Sequence, residues 1–211
     1  MSLNNPSNLN DDVMQSIIKR YPRSRSAIMP LLHYVQSISG YVTNEGIEKI
    51  AKLLDIETAE VSAVATFYTQ YKRKPVGEYH VGVCTNTLCA VMGGDAIFAA
   101  LKEHLEIEND GVTADGKVSL EHIECNAACD YAPVVMANWE FYDNQTIESA
   151  KSLVDGARAG NPPAPTRGPN RLVTYKEASA VLAGLDDGMA REGLQAGAPT
   201  LLGLKLSKEG K

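Results

Sequence analysis

Several features that mark other classes of protein are scarce in this sequence of 211 residues. Lys and Arg number 20 against 26 Asp and Glu, so the chain lacks the basic excess that non-specific nucleic-acid binding requires. No stretch approaches the roughly 18 consecutive apolar residues of a membrane-spanning helix, and the polar first residues do not resemble a secretory signal. We therefore expect a cytoplasmic protein that does not bind nucleic acid and does not itself cross the bilayer.

Cysteine and histidine are also rare, at four residues each. Cytoplasmic thiols are kept reduced, so four cysteines are interpreted first as metal or redox ligands and only second as disulfides. The apolar fraction of 44% can supply a core without disulfide support.

Residues 1–74 contain four short apolar stripes with helical spacing, at 13–18, 28–38, 47–54 and 61–68. Stripes of this width need a shared core. The pattern predicts an N-terminal helical bundle.

From Tyr79 the apolar period changes to two, which predicts a strand. Helical patterns follow Gly93-Gly94 and Thr146, and further short strands are predicted near 118–120, 134–137 and 140–142. The order β-α-β-β-α over residues 75–160 is compatible with a small thioredoxin-like sheet flanked by helices, within an α+β chain.

After Gly160 the composition changes to Asn161-Pro162-Pro163-Ala164-Pro165, which is typical of a stiff, extended linker. One helical pattern at 176–185 precedes scattered glycines. We predict an extended C-terminal tail over residues 161–211.

The four cysteines form two close pairs, Cys84-x4-Cys89 and Cys125-x3-Cys129, and each pair follows a predicted strand. Two loops at one edge of a sheet could present four thiolates to one centre, two for each iron of a 2Fe-2S cluster. A structural zinc site is the main alternative, since both spacings fit zinc ligands. The 35 residues between the pairs exceed the roughly 15 to 20 of common four-cysteine zinc modules, which favours the cluster.

With these motifs in place, the chain resembles the thioredoxin-like 2Fe-2S subunit of NADH:quinone oxidoreductase (complex I), the E or 24 kDa subunit family. The resemblance extends over about residues 11–158. It rests on Ala65-Thr66-Phe67-Tyr68, Pro75-Val76-Gly77, the two cysteine pairs, Thr113 with Asp115-Gly116, and Ala132-Pro133-Val134. Such subunits commonly carry Leu-Gly after the third cysteine, where this chain has Asn126-Ala127.

The resemblance implies that Cys84 and Cys89 bind one iron of a single 2Fe-2S cluster and that Cys125 and Cys129 bind the other. It implies an electron-carrying subunit with no substrate site of its own. The FMN and NADH would be bound by a partner subunit, and further iron-sulfur subunits would complete a complex on the inner face of the membrane. Related subunits serve NAD-linked hydrogenases and formate dehydrogenases, and a zinc-stabilised assembly module without redox activity is the alternative of a different class.

Further expectations concern individual residues and the tail. Nearby Glu121, Glu124 and Asp130 suggest a low reduction potential. The four histidines are expected to be surface or core residues and not ligands. Phe67, Tyr68 and Trp139 are expected to belong to the core, with the cluster or partner surface as the alternative. The leucine-rich tail is expected to pack along the flavin-binding partner and to become ordered only there.

Overall fold

The computed structural model describes residues 9–210, which form two compact units. The helical unit comprises the described residues up to Val76 together with Val173–Asp187, and the sheet unit comprises Gly77–Leu172 together with the described residues from Gly188 onward. The predicted boundaries at 74 and 160 divide the chain differently, because part of the expected tail belongs to each unit.

The helices of the described chain are α1 (Asp11–Ile18), α2 (Ile28–Ser39), α3 (Asn44–Leu54), α4 (Thr58–Phe67), α5 (Thr87–Val91), α6 (Gly94–Leu105), α7 (Ile147–Arg158), α8 (Tyr175–Leu182) and α9 (Ala198–Lys208). The strands are β1 (Tyr79–Cys84), β2 (Gly111–Val112), β3 (Val118–Ile123), β4 (Val135–Ala137) and β5 (Glu140–Tyr142). The fold class is therefore α+β as predicted, and the four N-terminal helices coincide with the four apolar stripes. No helix in residues 9–210 is both long and apolar enough to span a membrane.

The helical unit is organised around α2, whose Leu31, Leu32 and Val35 are fully buried. A Cβ on Gly46 would lie only 2.5 Å from a methyl group of Val35, so this glycine allows α3 to pack tightly on α2.

Local sequence signals set where these helices begin and end. The Thr43 hydroxyl accepts a hydrogen bond from the Gly46 N–H at 3.0 Å, and α2 ends at Gly40 with φ +80°.

Part of the expected extended tail folds back as α8 and completes the core of the helical unit. Tyr175 is 1% exposed, and the Thr174 and Glu177 side chains form a capping box at the start of the helix. The fully buried Gln36 of α2 donates to the Ser179 hydroxyl at 3.3 Å, and Lys176 donates to the Ile38 carbonyl at 2.9 Å. Ala183 of this segment belongs to the apolar core of the helical unit and Leu185 packs against that core, a role that the composition of the tail did not indicate.

The sheet unit contains a five-stranded sheet in the order β2-β3-β1-β4-β5. Strands β1 and β3 are parallel, and the other neighbours are antiparallel. All six residues of β1 are buried, as expected for a central strand. The apolar core of the sheet unit contains Val81, Val83 and Leu120 from the strands, Ile97 and Leu101 from α6, and Leu153 and Val154 from α7.

The proline-rich stretch after α7 is extended, as predicted, but it is bonded to the edge of β5. The Thr166 N–H donates to the Phe141 carbonyl at 2.9 Å, and the Tyr142 hydroxyl donates to the Pro163 carbonyl at 2.7 Å. Arg167 forms a two-point ion pair with the buried Asp143, at 2.9 and 3.2 Å, and lies over the Phe141 ring. The sheet unit therefore continues beyond Gly160.

One prediction for the helical unit concerns His33, which is buried on α2 with its ring 4.8 Å from that of Tyr71. Burial lowers the pKa of His33 from 6.5 to about 4. Between these values the unfolded chain binds more protons than the native chain, so the free energy of unfolding should decrease as the pH falls from 6.5 towards 4. We expect a loss of about 1 kcal/mol per pH unit.

Denaturant unfolding followed by circular dichroism at pH 7 and pH 5 measures this dependence. His33→Phe should reduce it, whereas the same change at the exposed His122 should leave it intact. An unchanged pH dependence in His33→Phe would show that other groups cause it.

Candidate metal centre

The first cysteine pair lies at the end of β1 and in the short helix that follows. Cys84 is the last residue of β1, and its backbone N–H donates to the Val134 carbonyl at 3.1 Å. Cys89 lies within α5. Both side chains are buried, so this pair forms the inner side of the site.

The second pair reaches the same place because β1 and β3 are parallel. Cys84 pairs in register with Ile123, the last residue of β3, and Cys125 follows two residues later. Cys129 begins a short 3-10 helix, Cys129–Tyr131. Cys125 and Cys129 are exposed, so this pair forms the outer side of the site.

The thiols interact within each pair and between the pairs. Burial raises the pKa of Cys89 to about 11, and the neighbouring Cys84 and Cys129 thiols contribute to the rise. A hydrogen bond with Cys125 raises the pKa of Cys129, as does the proximity of Cys84. The structure therefore places all four predicted residues as free thiols at one end of the sheet, two of them buried and two exposed. In residues 9–210, no three His, Cys, Asp or Glu side chains converge closely enough to be identified as a site for one metal ion.

Hydrogen-bond donors are directed at the thiol sulfurs from both loops. In the second loop Ala127 has a left-handed backbone with φ +54°, and its N–H approaches the Cys125 sulfur at 3.4 Å. In the first loop the Asn86 side-chain amide donates to the Ile123 carbonyl at 2.9 Å and lies 3.7 Å from the Cys84 sulfur. Asn86 therefore ties the end of β3 to the first cysteine loop.

Glycine permits the close packing of this region. A Cβ on Gly94 would lie 2.5 Å from the Cys84 carbonyl oxygen and 2.8 Å from that of Cys89, so a side chain here would collide with the backbone of both ligand positions. A Cβ on Gly82 would instead meet the Ile123 side chain at 2.6 Å, which makes its role one of packing between strands. Asn86 was not identified from the sequence. Gly94 was interpreted only as a helix start, although two consecutive glycines after a cysteine pair also indicate a close approach of the backbone.

Three histidines of the sheet unit contact side chains other than the cysteines. His80 is buried, with Nδ1 2.8 Å from the Ser119 hydroxyl and Nε2 3.2 Å from a Glu121 carboxylate oxygen. His122 is exposed and its ring lies 6.1 Å from that of Phe98. His104 pairs with Asp155 at 2.7 Å.

The aromatic residues divide into two groups. Trp139 is half-buried and packs against the small apolar cluster that contains Cys84 and Cys89. Phe67 and Tyr68 are exposed, at 78% and 42%, so the expectation that they belong to a core is wrong. The peptide bond between Ala132 and Pro133 is cis.

Comparisons with known proteins agree with this geometry. A family model described as "Thioredoxin-like [2Fe-2S] ferredoxin" matches residues 14–158, which include all four cysteines. The chain belongs to this family. The predicted membership in a family of thioredoxin-like 2Fe-2S proteins is therefore confirmed.

Two curated relatives and one solved structure are informative. The E subunit of NADH-quinone oxidoreductase from Mycobacterium tuberculosis (strain ATCC 25618 / H37Rv) is 59% identical over 196 residues, covering 92% of this chain and 77% of the relative. The protein of the same name from Rickettsia bellii (strain RML369-C) is 41% identical over 152 residues, covering 71% of this chain and 91% of the relative. An air-oxidised NAD+-reducing [NiFe]-hydrogenase matches with a TM-score of 0.58 and 19% identity, over 67% of this chain and 25% of the hydrogenase chain. At that identity the hydrogenase match shows a shared fold.

Proposed function

We propose that this chain is the electron-carrying E-type subunit of an NADH:quinone oxidoreductase, with one 2Fe-2S cluster held by Cys84, Cys89, Cys125 and Cys129. The observation that carries the proposal is the convergence of two cysteine pairs at the common end of the parallel strands β1 and β3. One pair for each iron is the arrangement that a 2Fe-2S cluster needs. The cluster would accept and release single electrons.

The residues around the thiols fit such a group. A cluster of this type with four thiolates carries net negative charge, which hydrogen-bond donors and partial solvation stabilise. The Ala127 N–H and the Asn86 amide already point at thiol sulfurs, and the Asn126 side-chain nitrogen is buried without a partner in the described residues. Gly94 supplies the space that the inner loop requires.

Curated relatives favour the quinone-linked complex over the alternatives. The relatives at 59% and 41% identity are both named as NADH-quinone oxidoreductase subunits, whereas the hydrogenase is a distant match. The equivalent subunit of an NAD-linked hydrogenase or formate dehydrogenase remains the second candidate. In either complex we propose that FMN and NADH are bound by a partner subunit and that other iron-sulfur subunits continue the electron path. The chain would then lie on the cytoplasmic face of the membrane through its complex.

The partner's docking surface would include α9. Within the described structure α9 has no buried residue, and its leucines are Leu201, Leu202, Leu204 and Leu206, each at least 41% exposed. An isolated helix of this length is marginal in water, so this apolar surface needs a partner. The Thr200 hydroxyl at its start lies 3.2 Å from the Tyr131 hydroxyl and 3.3 Å from an Asp130 carboxylate oxygen. Because that contact joins α9 to the turn that carries Cys129, a subunit seated on α9 would also reach the exposed cysteine pair.

With α9 proposed as the docking surface, the prediction that the tail packs on the flavin-binding partner is limited to this helix. Truncation after Gly160 would remove the buried Leu172 and Tyr175 as well as the Arg167 ion pair, so it would damage both units. The docking function is therefore assigned to α9 and not to the whole of residues 161–211.

The ligand set is tested by single substitutions in the full chain. Serine at any of the four cysteines, for example Cys129→Ser, should remove most of the cluster absorbance or shift its spectrum, because a serine oxygen is a harder and poorer ligand. His80→Ala and His122→Ala should retain the cluster. Loss of the cluster in a histidine variant, combined with an unaltered cluster in one serine variant, would show that the ligand set is wrong.

The docking surface is tested by the double change Leu201→Glu and Leu204→Glu. The variant should keep its cluster spectrum but co-purify with the flavin-binding subunit at least tenfold less, since charges would replace the apolar surface. Leu182→Glu, at an exposed leucine of α8, is the matched control and should co-purify normally. Normal co-purification of the double variant would exclude α9 as the docking surface, and a concentration-dependent dimer that the double change abolishes would assign it to a second copy of this chain.

A further inference from the structure

Asn126, in the loop between Cys125 and Cys129, has a side-chain nitrogen that is out of contact with solvent and has no hydrogen-bond partner within residues 9–210. A buried amide donor without an acceptor is destabilising, because it has lost its hydrogen bonds to water. An acceptor is therefore expected at this position.

The first cysteine loop, between Cys84 and Cys89, suggests which kind of atom this acceptor is. In the first loop Asn86 follows Cys84 by two residues, and its amide lies within hydrogen-bonding reach of the Cys84 sulfur. In the second loop Asn126 directly follows Cys125, and the next residue, Ala127, already directs its N–H at the Cys125 sulfur. Both loops thus carry an asparagine within two residues after the first cysteine of their pair. In the first loop the sulfur that this amide approaches is that of Cys84.

We propose that the Asn126 side-chain amide donates a hydrogen bond to a sulfur of the 2Fe-2S cluster and raises its reduction potential. The inference rests on the proposed function and adds a positioning residue that sets the potential. Adding one electron increases the negative charge on the cluster, so a donor to sulfur stabilises the reduced form more than the oxidised form. Asn126 therefore makes reduction more favourable.

The effect opposes that of the nearby carboxylates. Glu124 and Asp130 are exposed, so solvent and salt weaken their repulsion of an added electron. Glu121 is mostly buried, and its carboxylate lies 3.2 Å from His80 Nε2. The Asn126 nitrogen is out of contact with water. A hydrogen bond to a charged group is stronger in such a buried position than in water. The low potential expected from the acidic residues alone is therefore raised by this amide.

A redox titration of the full chain, with the reduced cluster followed by its electron paramagnetic resonance signal, tests the proposal. Asn126→Leu and Asn126→Ala both remove the donor, and Asn161→Leu, at an exposed asparagine, is the matched control. At a fixed ambient potential the ratio of reduced to oxidised cluster should fall about tenfold in both Asn126 variants, which corresponds to about 59 mV for one electron. The control should titrate like the wild type.

Three results would count against the inference. Intact clusters with wild-type potentials in both Asn126 variants would overturn it without affecting the proposed function. If neither variant binds a cluster, the decision passes to the wild type and Asn126→Gln, both with asparagine labelled with nitrogen-15 only in its side chain, because glutamine keeps an amide donor at this position but carries no label. A hyperfine coupling to the reduced cluster that is present in the wild type and absent in Asn126→Gln supports the proposal, and wild-type protein without any coupling beyond that of Asn126→Gln contradicts it. A wild-type chain without iron and sulfide would remove the proposed function and this inference together.

Discussion

The parallel pairing of β1 with β3 is the constraint on which the site depends. The register that sets Cys84 opposite Ile123 makes both strands end at one edge of the sheet, so the loops that follow them meet. Without this pairing, Cys84 and Cys125 would be separated by 40 intervening residues and no local motif would unite them. The alternation along β1 holds this register, because a slip by one residue would move Val81 and Val83 from the main core to the opposite face, where Gly82 leaves space for Ile123.

The site has two different sides as a result. Cys84 and Cys89 are buried beneath α6, whose Gly94 allows the helix to approach their backbone, whereas Cys125 and Cys129 face solvent. Burial and hydrogen bonds to sulfur are the factors that tune the potential of an iron-sulfur centre. The contact between Thr200 and the turn at Cys129 brings α9 to the exposed side of the site. The sheet unit therefore places the helix that we propose as a docking surface next to the exposed cysteine pair.

The sequence predicted the features that depend on local pattern. The α+β class, the four N-terminal helices and the strands around the cysteines follow from apolar periodicity and glycine or proline positions, and family motifs supplied the function. The features it missed depend on contacts between distant residues. The helical pattern of α8 was predicted, but its packing on α2, where Gln36 donates to Ser179, was not, and the proline-rich stretch is held by the ion pair of Arg167 with Asp143. Asn86 was missed for the same reason, since its acceptor, the Ile123 carbonyl, lies 37 residues away.

The central claim is that four cysteines hold one 2Fe-2S cluster in two pairs. Its most direct test is the absorption spectrum of the anaerobically purified full chain, measured together with its iron, acid-labile sulfide and zinc content. The account predicts a red-brown protein with two irons and two sulfides per chain and little zinc. A colourless protein with stoichiometric zinc and no sulfide would contradict it.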